Sequence, residues 1–488
     1  MSSRLTFIVP VYEPRLDLLA KSVRALCDQS LKEWSAVFVL DGPNKGAAEV
    51  IRAQMKKKPN TYRIVEQEHG GAQKARNHGA MYAKTEFVVF WDYDCLIEPE
   101  SSTLWLRAFD RDPDIAFVYG SYKFLEEKGA IESQPFDPWL LKVRNYISTC
   151  FPVRREFAAT WNESLKSLQD WDFWLSVVEK GGKGKYLPGF HFSTLYPEAS
   201  SISGQGCTDA AWLERIDAVK KAHNLPERDV CVSALQHKNE GIWLAKLIDA
   251  DYQDYPNWKP HRYKTIIQIG FSLLPHAVEA HAGIFRDREI KKVLFWTCED
   301  VTEVYSRLNL NAIHKYSLLL NKMENLKQYV EDKTSYDMMI KAGFNVEIRP
   351  LPMETRDEVS PLPEKPIFAV DICPNYGPVL DAIQLSLPDI ELVLLDGAEK
   401  LSEFTGLVHL HPDRTVSPGM KRAILAGRHV VSNVQAPFTG FVDDTKDLSE
   451  LIPEAVEAIR AAANLPPPAE ARSYYSSLVN AKEFVHAL

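Results

Sequence analysis

Leu5-Thr6-Phe7-Ile8-Val9-Pro10-Val11 is a compact apolar run, rich in β-branched residues, that stops at the turn Tyr12-Glu13-Pro14. A short run that is apolar on both faces reads as a buried parallel strand. Outward from it, Leu19, Val23 and Leu26 keep helical spacing between residues 16 and 26, and Ser35 to Leu40 predicts a second strand closing on Asp41-Gly42-Pro43. A helix from about Gly46 to Lys56, a strand from Tyr62 to Val65, a helix from the Gly70-Gly71 turn through Met81, and a strand from Glu86 to Trp91 follow. Strand and helix alternate over short connections, so the expected fold class is α/β with a doubly wound parallel sheet. Such sheets bind ligands outside the carboxyl ends of their strands. Tyr12, Asp41 and Asp92 fall at those ends.

Phe90-Trp91-Asp92-Tyr93-Asp94-Cys95 sets two carboxylates two residues apart at the end of the fourth strand. Strand alternation puts both on one side, facing the crevice. Two hard oxygen ligands beside a diphosphate suit Mg²⁺ or Mn²⁺. An Asp-x-Asp triplet is common in surface turns, and it is the strand in front of it that gives this one meaning. No GxGxxG follows the first strand, which counts against a dinucleotide-dependent oxidoreductase.

At 488 residues the chain exceeds what one hydrophobic core usually supports. With 45% hydrophobic and 25% charged residues it reads as globular, and its net charge of −9 weighs against nucleic acid as a partner. The seven cysteines are odd in number and scattered, with no CxxC, which predicts a reducing compartment and no structural zinc. No apolar run is long enough for a signal peptide or a transmembrane segment, so a cytoplasmic protein is expected.

Residues 208–248 carry helical periodicity through Trp212, Ile216, Val219, Trp243 and Leu247, and 249–261 are rich in Asp, Tyr and Pro. From Lys264 the alternation resumes, with strands expected at 266–269, 293–296, 344–348, 367–370, 392–395, 407–410 and 429–431. Residues 353–365 look like a hinge, and Pro466-Pro467-Pro468 sets off a terminal helix. The expected division is 1–204, a helical connector at 205–262, and a second α/β domain at 263–488.

The first two hundred residues carry an ordered series: Phe7-Ile8-Val9-Pro10-Val11-Tyr12, Val39-Leu40-Asp41-Gly42, Gly70-Gly71-Ala72-Gln73-Lys74-Ala75-Arg76-Asn77, Asp92-Tyr93-Asp94, Arg154-Arg155-Glu156-Phe157 and Gln169-Asp170-Trp171-Asp172. Together they resemble the family-two inverting glycosyltransferases, which have the GT-A fold, a Rossmann-like nucleotide-diphospho-sugar transferase domain. The resemblance implies a UDP-sugar donor, Mn²⁺ or Mg²⁺, and a glycan or other hydroxyl acceptor; a hydroxylated DNA base is an alternative acceptor. It implies that Tyr12 stacks on the base, that Asp41 accepts from the uracil ring, and that Glu13, Arg76 and Asp92 face the nucleotide. Asp94, with Asp92, would hold the metal. Each of Tyr12, Asp41 and Arg76 also has a plain reading as core aromatic, turn residue and ion-pair partner.

By the same resemblance Asp170 is the base that takes the acceptor proton. Asp172 is its rival, and on a helix the two point about 200° apart, so only one can face the sugar. The family's histidine after the base has no counterpart in Tyr196-Pro197-Glu198-Ala199. His191 is the substitute metal ligand, or else a core histidine.

In the second half, His411-Pro412-Asp413, Ser417-Pro418-Gly419 and His429-Val430-Val431-Ser432 resemble the nucleotide-sugar half of a GT-B glycosyltransferase. The two glutamates of retaining members correspond to Arg414 and Arg422, and guanidinium groups cannot do the work of carboxylates. That leaves a binding module, a second transferase working differently, or a degenerate sugar-nucleotide scaffold.

Overall fold

The computed structural model describes residues 3–44, 46–57, 61–125, 129–195, 209–234, 238–254, 263–272, 289–349, 351, 361–372, 376–395, 401–411, 416–434, 439–465 and 470. The chain divides into two compact units, Met1–Glu227 and Arg228–Leu488. Tyr196–Ala199, Arg414 and Pro466–Pro468, together with most of the expected hinge at 353–365, lie outside the described residues.

The first unit opens as β1 (Leu5–Val11), α1 (Leu16–Cys27), β2 (Trp34–Asp41), α2 (Ala47–Gln54), β3 (Tyr62–Gln67), α3 (Ala72–Ala80) and β4 (Phe87–Phe90). All seven residues of β1 are buried, as the unbroken apolar run requires of a strand covered on both faces. It pairs parallel to β2 on one side and to β4 on the other, and β3 adds parallel to β2. On α1 the buried residues are Leu18, Leu19, Ser22, Val23 and Leu26, the single stripe expected of a helix packed on a sheet. Helix α3 approaches the sheet at Gly79, where a Cβ would stand 2.5 Å from Ile8 Cγ2 and 2.9 Å from Val39 Cγ2.

The sheet departs from the all-parallel expectation after β4. Its order is β3-β2-β1-β4-β8-β6-β9-β5, with β5 (Leu96–Ile97), β6 (Phe117–Phe124), β8 (Pro152–Arg154) and β9 (Gly184–Thr194); β7 (Ala130–Ile131) pairs with β6 alone, and α4 (Ser101–Arg111) and α5 (Pro138–Val143) lie between these strands in sequence. Strand β8 runs antiparallel to both β4 and β6, and β5 runs antiparallel to β9. Strand β4 passes into β5 through residues 91–95 alone, although β5 lies at the far edge of the sheet, beyond β9. That short loop is the one carrying Asp92 and Asp94. Helix α6 (Gln169–Glu179) packs behind it through Trp171, Phe173, Trp174, Leu175 and Val177, and α7 (Asp209–Ala222) follows.

The second unit is α/β, as expected, and holds two parallel sheets. One has the order β11-β10-β12-β13-β14-β15, from β10 (Val230–Ala234), β11 (Asp251–Asp254), β12 (Thr265–Ile269), β13 (Lys291–Trp296), β14 (Leu326–Val330) and β15 (Glu347–Ile348). The other has the order β17-β16-β18-β19-β20, from β16 (Ile367–Ile372), β17 (Glu391–Leu394), β18 (Gly406–Leu410), β19 (His429–Ser432) and β20 (Thr439–Phe441). The stretch expected as a helical connector thus supplies two strands, β10 and β11, around α8 (Lys238–Leu247). Val230-Cys231-Val232-Ser233-Ala234 is short and only moderately apolar, and pairing with β12 is what makes it a strand.

Candidate active site

A cleft of about 840 Å³ opens at the carboxyl ends of β1, β2 and β4, and its walls include Tyr12, Asp41, His69, Arg76, Asp94 and Asp170. The strand ends supply the floor, the start of α3 one wall, and residues 163–170 the other.

Asp41 is 1% exposed. Its Oδ1 accepts from Gln67 Nε2 and the Gly70 amide at 2.8 Å each, and its Oδ2 accepts from the Gly71 amide at 2.9 Å and lies 3.0 Å from His69 Nδ1. Four partners reach its two oxygens, although Asp41 still lines the cleft where the resemblance has it accept from a uracil ring. Through them Asp41 anchors the turn that starts α3. The imidazole it holds lies under Tyr12, with ring centroids 4.0 Å apart and planes at 21°. The outer face of the half-exposed Tyr12 is left as a stacking surface. Glu13 has φ +41, its amide donates to Asn44 Oδ1 at 2.8 Å, and it is not among the cleft-lining residues. Its carboxylate sits beside the Tyr12 phenol and raises that group's pKa.

Arg76 is 5% exposed on α3. Its Nη2 donates to Asp92 Oδ1 at 2.7 Å, and its Cζ lies 4.4 Å from the centroid of the Trp161 indole. Burial alone would lower its pKa, but Asp92 and Asp170 outweigh that and raise it. Nε and Nη1 are buried with no hydrogen-bond partner among the described residues. Two orphaned donors on a fixed cation suit an oxyanion with more than one oxygen to offer. The next residue, Asn77, clamps Trp161 by donating to its carbonyl at 2.9 Å and accepting from its amide at 2.8 Å. Trp161 in turn stacks on Phe173 of α6 at 4.5 Å and 11°. Arg76, Trp161 and the helix that carries Asp170 are therefore one packed unit.

Asp92 and Asp94 both line the cleft. Burial and then the charge of Asp92 push the Asp94 carboxyl up to about 6. Two carboxylates crowded this way, with Arg76 as the cation that opposes them, fit a divalent ion of the hard, oxygen-preferring kind. Cys150 Sγ lies 3.9 Å from Asp92 Oδ2 and 3.7 Å from Cys95 Sγ. Both thiols are buried, and that of Cys95 is held well above its ordinary range by its bond to Cys150 and by burial.

His191 does not join this group. It is buried, its Nδ1 accepts from Trp105 Nε1 at 3.2 Å, and its Nε2 stands 3.2 Å from the Leu187 carbonyl. Both ring nitrogens have partners within the core, and burial lowers its pKa, which favours the plain reading as a core histidine.

Asp170 lies in the first turn of α6, behind Leu168, which takes the left-handed conformation with φ 58. A non-glycine residue there costs about 1–2 kcal/mol and is kept only where the surroundings impose it. Burial pushes the Asp170 carboxyl up to about 6 against the pull of Arg76. Asp172 points elsewhere, 5% exposed, with His223 Nε2 3.1 Å from its Oδ1. The structure therefore brings Asp170 to the cleft and takes Asp172 away from it. His69, Trp161 and Lys166 were not picked out from sequence. Only His69, just before the Gly70-Gly71 turn, carries a local signal.

A cleft over parallel strand ends, floored by an acidic loop and followed by a mixed half-sheet, is the GT-A arrangement of nucleotide-diphospho-sugar transferases. Residues 6–164 match the family model described as Glycosyl transferase family 2, so the amino-terminal unit carries a domain of that family. An uncharacterized glycosyltransferase of Methanocaldococcus jannaschii is 22% identical over 186 residues, 36% of this chain and 64% of that protein. The hyaluronan synthase of Pasteurella multocida is 24% identical over 212 residues, 41% of this chain and 22% of the synthase. The crystal structure of S. aureus TarS 1–349 with UDP-GlcNAc is similar at TM-score 0.39 and 18% identity, over 45% of this chain and 66% of that one. The chain thus spans less than two thirds of the length of each of these proteins.

Proposed function

We propose that the amino-terminal unit transfers a sugar, with inversion, from a nucleoside diphosphate sugar to an acceptor hydroxyl, with a UDP-sugar as the first donor to test. The observation that carries this reading is Arg76, a buried cation with two unpartnered nitrogens set between the Asp92-Tyr93-Asp94 loop and Asp170.

In this reading the Tyr12 face receives the base and Arg76 grips the diphosphate. Asp92 and Asp94 would hold Mn²⁺ or Mg²⁺, which would neutralise charge on the departing diphosphate. Asp170, raised to about 6, is ionised at neutral pH yet more basic than a free carboxylate, which suits a group that takes the acceptor proton during in-line attack. The likeness to a hyaluronan synthase supports a glycan as the acceptor class. The second unit is read as a binding module. Arg422 is exposed on the helix Pro418–Leu425, while Arg414 lies outside the described residues.

Calorimetry with UDP, with and without Mn²⁺, tests the donor site, with GDP and ADP as comparison arms. Binding should strengthen with metal and weaken in Asp94→Ala. Binding that ignores both changes would count against the reading.

A further inference from the structure

In the parallel sheet β17-β16-β18-β19-β20 the chain moves outward from β16 to β17 on one side and from β18 to β19 and β20 on the other, so the strand order reverses between β16 and β18, which makes the crevice at their carboxyl ends the topological switch point. The register pairs Asp371 of β16 with His409 of β18, and His411 follows two residues later on the same face. His409 Nδ1 lies 3.0 Å from Asp371 Oδ2, and His411 Nε2 lies 3.6 Å from Asp371 Oδ1. The two imidazoles stack with centroids 4.6 Å apart and planes at 11°. Asn433 fixes His411 by donating to its carbonyl at 2.7 Å and accepting from its amide at 3.1 Å.

A lone buried Asp–His pair would be an ordinary ion pair. Here one carboxylate faces two imidazoles, His409 is 1% exposed, and its Nε2 has no hydrogen-bond partner among the described residues.

We infer that Asp371, His409 and His411 form a binding site for a divalent transition-metal ion in the second unit, separate from the proposed donor site. Each residue offers one ligand atom, and the three atoms lie within 4.8 Å of one another. Two imidazoles and a carboxylate favour Zn²⁺, Co²⁺, Ni²⁺, Fe²⁺ or Mn²⁺ over Mg²⁺ and Ca²⁺, which prefer oxygen throughout. Three protein ligands leave a coordination position open for water or an anionic ligand at the switch point.

The test is calorimetric titration of chelator-stripped full-length protein with Zn²⁺, repeated with Co²⁺ while following its visible absorption. The expected result is an ion, distinct from any bound at the proposed donor site, whose affinity falls at least tenfold in His411→Ala and in Asp371→Asn, and which persists in Asp94→Ala and Cys150→Ser. Asp371→Asn keeps the side-chain shape, and circular dichroism shows that each variant is folded. Wild-type affinity in folded Asp371→Asn overturns the inference. So does a zinc ion that is lost with Asp94→Ala or Cys150→Ser alone, or no zinc binding at all.

Discussion

Arg76 donates to Asp92 at 2.7 Å with one nitrogen while its Nε and Nη1, equally buried, meet no partner among the described residues. The α3 helix thus ties the acidic loop down with one arm of a fork and leaves the rest of that fork for something else.

If that something is a diphosphate, Arg76→Lys keeps the charge and loses the fork. Donor affinity should fall about tenfold or more, the scale of one charge-assisted hydrogen bond. Calorimetry with UDP and Mn²⁺ measures it. Unchanged affinity would assign Arg76 a structural role alone.

Asp170→Asn should lower turnover about a hundredfold or more while leaving UDP affinity nearly intact, as expected for a lost general base. Because the second unit is read as non-catalytic, no other transfer activity should remain in the full-length variant. In the wild type, kcat/KM should fall as pH drops through about 6, since the base works only when deprotonated. Protonation of Asp94 over the same range should also weaken metal binding.

Asp172→Asn should spare turnover and lower stability by about 1–3 kcal/mol, the usual cost of losing a hydrogen bond to a charged, buried partner. Its imidazole partner, His223, also lies 2.8 Å from Glu179 Oε1. Burial would lower the His223 pKa, but the two carboxylates outweigh it and raise it. A raised folded-state value contributes stability that is complete below the unfolded value of about 6.5 and is lost as pH rises through the folded one. The gap in urea-unfolding stability between wild type and His223→Gln should therefore be widest below about pH 6.5 and narrow towards pH 9.

Gly79→Ala should destabilise the first unit by about 1–3 kcal/mol, the range for overpacking a tight contact. The added methyl would meet Ile8 and Val39 at 2.5 and 2.9 Å. Thermal unfolding checks this, and a neutral substitution would mean that α3 can lift from the sheet without cost.

The sequence alone determined the parallel half of the first unit, because each of its elements carries a local signature. The apolar run at 5–11, the stripe Leu19, Val23, Leu26 and the Gly70-Gly71 break each specify their own structure, and β1, α1, β2, β3 and α3 stand within a few residues of where the pattern puts them. Strand ends located from the apolar pattern also pointed to Tyr12, Asp92 and Asp94, whereas Arg76 and Asp170 came only from the resemblance of their motifs to a known family; all five line the cleft. What it left open depended on contacts between distant segments. Whether Asp170 or Asp172 faces the cleft was decided by His223, 51 residues beyond Asp172, and His191 is held in the core by Trp105 and the Leu187 carbonyl. Asp41 reads as a free strand-end carboxylate until Gln67, His69, Gly70 and Gly71 fold over it. Strands β10 and β11 carry too little apolar pattern to announce themselves; β10 exists because β12 offers an edge to pair with, and β11 because β10 does. Periodicity is a property of neighbours along the chain, whereas the partner that fills a lone pair or covers a strand edge is chosen only when the chain folds.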